Sequence, residues 1–292
     1  MTLNHPIARN RSSLAEAGRT LSPCNKDMGT TASPAAVQAY AELHCISNFT
    51  FLRGASFPEE LVERAEALGY SAIAITDECS LSGVVRAHMA AKERRIKLII
   101  GSEFVLRDAA TEVLQDEKTI RKDLDEPPAK NLNALNNGMR IVLLALNRKG
   151  YGELSHLISC ARLRANKGEY RIDSELLQEK FPIDCALLWI PDLKQSDACI
   201  ESQAGYLQVL ATGNLWIAAE LLLNGYDRLK LKRLRKLGKS FDIPVCAAGG
   251  VYMHEAGRRI VQDTLTAIRL GKPLAEIGFA AEPNSQRHLR AI

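Results

Sequence analysis

Residues 68–88, LGYSAIAITDECSLSGVVRAH, contain a predicted strand and the start of the helix that follows it, and this pair is the unit from which the fold is predicted to be built. Gly69 ends a helical stretch, and residues 71–76 (SAIAIT) then form an uninterrupted apolar run. A run of this length between turn residues is typical of a strand that is buried on both faces. Residues 84–94 follow with helical spacing, so the stretch predicts a β/α unit of a parallel sheet.

The same alternation continues along the chain. After Ser56, proposed as a helix cap, Pro58 stands in a first turn and Glu59 is the expected capping-box partner. Residues 215–223 fit either a strand or a helix. The predicted strands are 41–45, 71–76, 97–105, 140–146, 185–190 and 243–248. Besides the helix that follows Ser56, the predicted helices are 84–94, 151–164, 227–241 and 258–270.

About seven apolar strands in one series favour a closed or nearly closed β/α barrel over an open doubly wound sheet, and 292 residues suffice for one. The chain has no G-x-G-x-x-G after its first strand and no P-loop, which argues against a nucleotide-binding fold. Residues 1–36 show no periodicity and are predicted to be a disordered leader. Residues 107–138, charged and rich in Asn and Lys, are predicted to be a surface insertion in a barrel domain that spans 37–292.

Composition excludes several classes of protein. A net charge of +4 is only mildly basic, and aromatic residues at 5% are too few for a chain built on base stacking. The seven cysteines are scattered without a C-x-x-C pair, which argues against a disulfide framework or a zinc ribbon. No apolar run approaches a membrane span and no secretory signal is evident, so we expect no membrane association and a cytoplasmic location.

Polar residues stand where the predicted strands end. The first strand ends at His44, the second at Asp77 and Glu78, the third contains Glu103, and residues 249–254 follow the last. Because working residues of β/α barrels lie at the carboxyl ends of strands, imidazole and carboxylate groups there could hold Zn²⁺ or Mn²⁺. A metal-bound water would then hydrolyse a phosphoester. The alternatives are that His44 is a hydrogen-bonded strand histidine and that Asp77 caps the next helix.

These residues also carry a family resemblance. The segments AELHCISNFTFLRGAS, LGYSAIAITDECSLSGVVRAH, IKLIIGSEF, LALNRKGYGEL, RRIVQDTLTAIRLGKPLAE and QRHLR resemble the N-terminal PHP domain of bacterial C-family DNA polymerases, which are similar to the DNA polymerase III α-subunit. The similarity is greatest to the error-prone branch and runs from about residue 40 to 290. It implies a distorted β/α barrel of about seven parallel strands.

The resemblance also implies a metal site, from which this chain departs. Active members carry an H-x-H on the first strand, a further ligand soon after it, a histidine opening the fourth strand and a late D-x-H. Here non-ligand residues stand at five of these places: Ile46, Arg53, Arg140, Gly250 and Tyr252.

His44, Glu78 and Glu103 remain as candidate ligands, and they could hold a single Zn²⁺, Mn²⁺ or Mg²⁺. An ion pair of Arg53 or Arg140 with Glu103 or Glu78 in place of the metal is the preferred interpretation. We therefore predict a barrel that has lost metal-dependent hydrolysis, with no catalytic residue of its own.

The function implied is that of the PHP domain, or a truncated form, of an error-prone DNA-directed DNA polymerase in replication and damage-tolerant repair. The palm, fingers and thumb, where nucleotidyl transfer occurs, are absent, so we expect this chain alone to be inactive. A scaffolding role is predicted, with the polymerase core or damage-tolerance proteins as partners and DNA contacted indirectly. The alternatives are a phosphoesterase or 3′–5′ exonuclease with a reduced metal site, and a product without function.

One predicted helix is strongly basic. Residues 227–241 include Lys232, Arg233, Arg235 and Lys236, which could contact a phosphate backbone. A solvated outer helix of the barrel is the favoured alternative, because charge runs usually mark exposed faces.

Overall fold

The structure, a computed structural model, describes residues 39–107 and 138–292. The predicted leader (1–36) and nearly all of the predicted insertion (107–138) lie outside the described residues. No helix within these ranges combines the length and the apolar character that crossing a bilayer requires.

The strands form one sheet in chain order, β1 to β7. The sheet curls until its two edges meet: Ile46 N–H donates to the Val251 carbonyl at 2.9 Å, and Val251 N–H donates to the His44 carbonyl at 2.9 Å. This junction gives a nearly closed barrel, as predicted. The strands are Ala41–Glu42 (β1), Ala72–Ile75 (β2), Lys97–Leu106 (β3), Met139–Ala145 (β4), Cys185–Ile190 (β5), Leu215–Ala219 (β6) and Val245–Ala247 (β7).

Strand direction departs from the prediction at one place. β4 runs antiparallel to both β3 and β5, whereas the other neighbours are parallel, so the sheet is mostly rather than wholly parallel. The chain leaves β3 and enters β4 at the same end of the barrel, where Val105 is paired with Arg140. The first residues of β4 therefore lie beside the carboxyl ends of its neighbours.

Helices cover the outside of the sheet. The first begins at Pro58 with Phe57 as its cap, and Phe57 N–H donates to the Glu60 carboxylate at 2.8 Å, so the predicted cap at Ser56 with Glu59 was one residue early. The fourth and fifth helices were not predicted. The helices are Pro58–Ala67 (α1), Val84–Arg94 (α2), Arg148–Leu163 (α3), Ser174–Glu179 (α4), Asp197–Leu210 (α5), Asp227–Phe241 (α6) and Arg259–Leu270 (α7).

Alternate residues of the strands serve two cores. In β4, Ile141 and Leu143 face the helices, where they join Trp189 and Leu154 in the larger cluster. Val142 belongs to the separate cluster inside the barrel. This alternation follows from the two-residue period of a strand, and it explains why every position in these runs is apolar.

Gly150 marks a tight contact between α3 and the sheet. A Cβ atom at this position would lie 2.1 Å from the Asp184 carbonyl oxygen, whereas one at Gly152 would meet nothing within 4 Å. We expect Gly150→Ala to lower the free energy of unfolding by about 2 kcal/mol, because the backbone must shift. Gly152→Ala, the matched control, should be neutral or stabilising by up to about 1 kcal/mol. Urea denaturation of both variants would measure this, and equal effects would contradict it.

Candidate functional site

A cluster of charged side chains lies at the end of the barrel that holds the carboxyl ends of the parallel strands. His44 follows β1, Glu103 lies within β3, and Glu220 follows β6 directly. Arg140 is the second residue of β4 and reaches the same end of the barrel because that strand is reversed. Four side chains distant in sequence therefore meet inside one barrel mouth.

His44 is the centre of the cluster and is fully buried. Its Nε2 lies 2.6 Å from Glu103 Oε2, and its Nδ1 lies 2.6 Å from Glu220 Oε1. Burial alone would lower the pKa of the imidazole, but the hydrogen bonds to the two carboxylates outweigh burial and raise the pKa to about 9. Both ring nitrogens then donate, so His44 is an imidazolium between two anions near neutral pH.

Glu103 is fully buried and is surrounded by cations. Arg53 Nη1 donates to its Oε1 at 3.0 Å, and Arg140 Nη2 donates to its Oε2 at 3.0 Å. Burial raises the pKa of this carboxyl, but Arg140, Arg53 and His44 together bring it well below its usual range. Arg53 Nη1 also contacts Glu78, whose other oxygen accepts from the Tyr170 hydroxyl at 2.7 Å. The ion pairs predicted from the sequence are present.

Arg287 completes the cluster from the far end of the chain. Its guanidinium lies 4.4 Å from the centre of the Tyr252 ring, and its Nη1 is 3.8 Å from Glu220. Arg53 Nη2 donates to the Tyr252 hydroxyl at 3.1 Å. Burial would raise the pKa of the phenol, but Arg287, Arg53 and Arg140 lower it. Tyr252 thus contacts two of the guanidiniums.

Asp77 supports the cluster rather than capping α2 as the alternative interpretation held. Its carboxylate accepts from Ser47 N–H at 2.7 Å, from the Ser47 hydroxyl at 2.8 Å and from the Thr50 hydroxyl at 2.8 Å. These bonds tie down the loop that carries Arg53. The carboxylate is buried, which raises its pKa, and its role is to hold the backbone of this loop.

Gly250, one of the positions at which the family resemblance implies a metal ligand, leaves little room for a side chain. The residue has a φ of +58°, which favours glycine. A Cβ atom there would lie 2.7 Å from Glu220 Cδ and 2.9 Å from Arg287 Nη1. A side chain at position 250 would therefore require the Glu220 and Arg287 side chains to move.

The donor set does not fit a metal ion. Each nitrogen of His44 is engaged by a carboxylate, and guanidiniums contact Glu78 and Glu103. Within the described parts of the chain, no group of three or more His, Cys, Asp or Glu side chains is arranged to hold one. A dication would also have to enter among four cations, which are His44, Arg53, Arg140 and Arg287.

Two members of the cluster were missed by sequence reasoning. Glu220 would have been found if 215–223 had been assigned as a strand, because it is the first residue after β6. Arg287 had no local signal, since it depends on the chain after α7 folding back, where Tyr70 donates to the Arg290 carbonyl at 2.7 Å. Ile46, another position at which the family resemblance implies a ligand, is fully buried and offers no polar side-chain atom.

The four residues predicted as possible nucleic-acid contacts lie on α6 and are not part of the ion-pair cluster. Lys232, Arg235 and Lys236 are exposed, whereas Arg233 donates to the Leu193 carbonyl and pairs with Asp197 at 2.8 Å. The structure therefore separates Arg233 from the other three.

The raised pKa of His44 predicts a pH dependence of stability. A group whose pKa rises on folding stabilises the fold fully below its unfolded pKa, about 6.5, and loses that contribution as the pH rises through about 9. We expect the wild type to exceed His44→Gln in free energy of unfolding by about 2 kcal/mol more at about pH 6 than at about pH 9.5.

Denaturation at several pH values would measure this difference. His88→Gln, which changes an exposed histidine on α2, is the matched control and should follow the wild type throughout. A difference between the wild type and His44→Gln that does not change with pH would show that His44 is neutral in the folded state.

The dependence of Glu103 on its guanidiniums predicts a large cost for removing one. Arg140→Met should lower the free energy of unfolding by about 3 kcal/mol, because a buried carboxylate loses a partner. Adding Glu103→Gln to that variant should restore part of the loss. Arg94→Met, which breaks the exposed pair with Glu63, should cost less than about 1 kcal/mol. Equal losses for the two arginine variants in thermal and urea denaturation would contradict this account.

Comparison with known proteins agrees with this geometry. The PHP domain family matches residues 42–230. The error-prone DNA polymerase of Methylococcus capsulatus is 46% identical over 254 residues, which cover 87% of this chain and 21% of that protein. The error-prone DNA polymerase of Dechloromonas aromatica is 44% identical over 256 residues, which cover 86% and 22%. The chain thus spans about a fifth of the length of the curated relatives it matches.

Among solved structures, an amidohydrolase from Chromobacterium violaceum is similar with a TM-score of 0.49 and 13% identity, over 73% of this chain and 88% of that one. A similarity at this level carries no functional argument. The family match, by contrast, spans more than half of the chain and includes His44, Arg53, Glu78, Glu103, Arg140 and Glu220 but not Tyr252 or Arg287. The chain belongs to the PHP domain family and is homologous to the N-terminal region of error-prone DNA polymerases.

Proposed function

We propose that this chain is the PHP part of an error-prone DNA-directed DNA polymerase and that its barrel is a scaffold rather than a hydrolase. In this role it braces the polymerase core during replication and damage-tolerant repair synthesis in the cytoplasm. Nucleotidyl transfer would occur elsewhere, in the palm. The relatives named error-prone DNA polymerase, at 46% and 44% identity, support the assignment.

One observation supports a scaffold above all others. The Glu103 carboxylate, at the place of a family metal ligand, accepts from two guanidiniums and an imidazolium. Each of its oxygens is engaged at 2.6–3.0 Å. A metal ion would have to displace these partners and leave their positive charges buried beside it, which costs several kcal/mol per ion.

The ion-pair cluster also has a mechanical consequence that suits a brace. It joins the ends of β1, β3, β4 and β6 through charge-assisted hydrogen bonds. The ion pair of Arg287 with Glu220 at 3.8 Å adds the segment after α7. A metal would join the same elements only when bound. The barrel is therefore held closed under all metal concentrations, as a structural support requires.

Metal content tests this proposal. We expect the protein, purified without chelator, to carry no more Zn²⁺, Mn²⁺ or Mg²⁺ by elemental mass spectrometry than a His44→Gln/Glu103→Gln control. Added chelator should leave the melting temperature of the wild type unchanged, because no stabilising ligand is removed. Hydrolysis of a phosphodiester and of single-stranded DNA should stay at the level of that control.

Two outcomes would overturn it. Near-stoichiometric metal that is lost in the double variant, with metal-dependent hydrolysis of a phosphodiester, would make this barrel a phosphoesterase with a reduced site. Release of nucleotides from a 3′ end would identify a 3′–5′ exonuclease. Circular dichroism of the double variant would establish that it folds before either comparison is made.

A further inference from the structure

We infer that the outer face of α6 binds the phosphate backbone of duplex DNA. This surface is defined by Arg228, Lys232, Arg235, Lys236 and Lys239 and is called the α6 face below. The inference rests on the charges and packing of α6, so it stands independently of the scaffold proposal.

The basic charge of the protein is concentrated on this helix. Residues 227–241 (DRLKLKRLRKLGKSF) contain seven cations and one acid, a net charge of +6, whereas the whole chain carries +4. The rest of the chain is therefore net negative, at −2. The mild overall basicity, which by itself does not identify a nucleic-acid binder, is an average over two regions of opposite sign.

The five cations of the α6 face lie on one side of the helix. Leu234 and Gly238 are buried against the barrel, and the α6 face lies opposite them. At 100° per residue, its five members fall within an arc of about 100°, and from Arg228 to Lys239 they extend about 16 Å along the axis. The result is one continuous cationic stripe on a convex surface.

These five cations have no ion-pair partner among the residues that the structure describes. The two other cations of α6 lie off the stripe and are engaged: Lys230 donates to the Glu220 carbonyl at 2.6 Å, and Arg233 pairs with Asp197. Asp227, the one acid, accepts from the N–H of Leu223 at 2.7 Å. A merely solvated helix face usually carries acids at i+3 or i+4, and this one carries none.

The chemistry of the stripe favours phosphates over a protein surface. Lysine is depleted at protein–protein interfaces, whose centres are apolar and aromatic, and the α6 face has three lysines and no aromatic residue. Without an aromatic platform it cannot stack unpaired bases, so single-stranded DNA gains little from it. Duplex DNA presents about one charge per 1.7 Å, so a 16 Å stripe faces several phosphates at once.

Fluorescence anisotropy with a labelled 20-base-pair duplex of arbitrary sequence, at several salt concentrations, tests the inference on the full chain. Lys232→Gln/Arg235→Gln/Lys236→Gln/Lys239→Gln should weaken binding at least tenfold at about 100 mM salt. It should also reduce the magnitude of the slope of log K against log salt by about 3.6, because four phosphate contacts are lost. Both effects follow from counterion release rather than from a change of fold.

The matched control removes the same charges elsewhere. Its substitutions replace three exposed lysines and one exposed arginine with no ion pair in the described structure, and it should bind almost as the wild type does. Thermal denaturation should show both variants folded. The control is Lys92→Gln/Lys97→Gln/Arg148→Gln/Lys272→Gln.

Three results would overturn the inference. The first is an equal loss in both variants, which would mean that only net charge matters. The second is tighter binding of the wild type to single-stranded DNA than to the duplex. The third is no duplex binding at about 50 mM salt together with binding to polyglutamate, which would make the α6 face a site for an acidic protein.

Discussion

A carboxylate that is fully buried at the mouth of the barrel constrains everything around it. Glu103 cannot remain ionised there without cations, and it cannot become neutral while cations surround it. Its position on a central strand is set by the pairing of β3 with its neighbours, so the compensating charges must come to it. They come from a loop, a reversed strand and a buried histidine, and each of these elements is positioned accordingly.

The reversal of β4 is one such adjustment. In a wholly parallel barrel the first residue of a strand lies at the opposite end from the working edge. Because β4 is antiparallel to β3 and β5, its second residue, Arg140, lies at the mouth of the barrel and donates a hydrogen bond to Glu103. Fold and site are therefore linked through the direction of a single strand.

The sequence predicted the fold more completely than the site. Uniformly apolar runs such as residues 185–190 indicate buried strands by themselves, and that strand was placed to the residue. The charged partners of Glu103 could be anticipated because a buried carboxylate requires them. Arg287 could not, because the contact that brings it to Tyr252 depends on the packing of a distant segment, which has no periodicity to read. The direction of β4 was missed for a similar reason, since apolar runs do not encode strand polarity.

Gly250 has a further consequence for which substitutions this site can accept. Its absent side chain leaves the space that Glu220 and Arg287 fill. An aspartate at that position would contact both side chains, so it would fit only if Glu220 and Arg287 moved or were replaced. Substitutions at positions 220, 250 and 287 are therefore coupled, and a change at one of them constrains which residues the other two can carry.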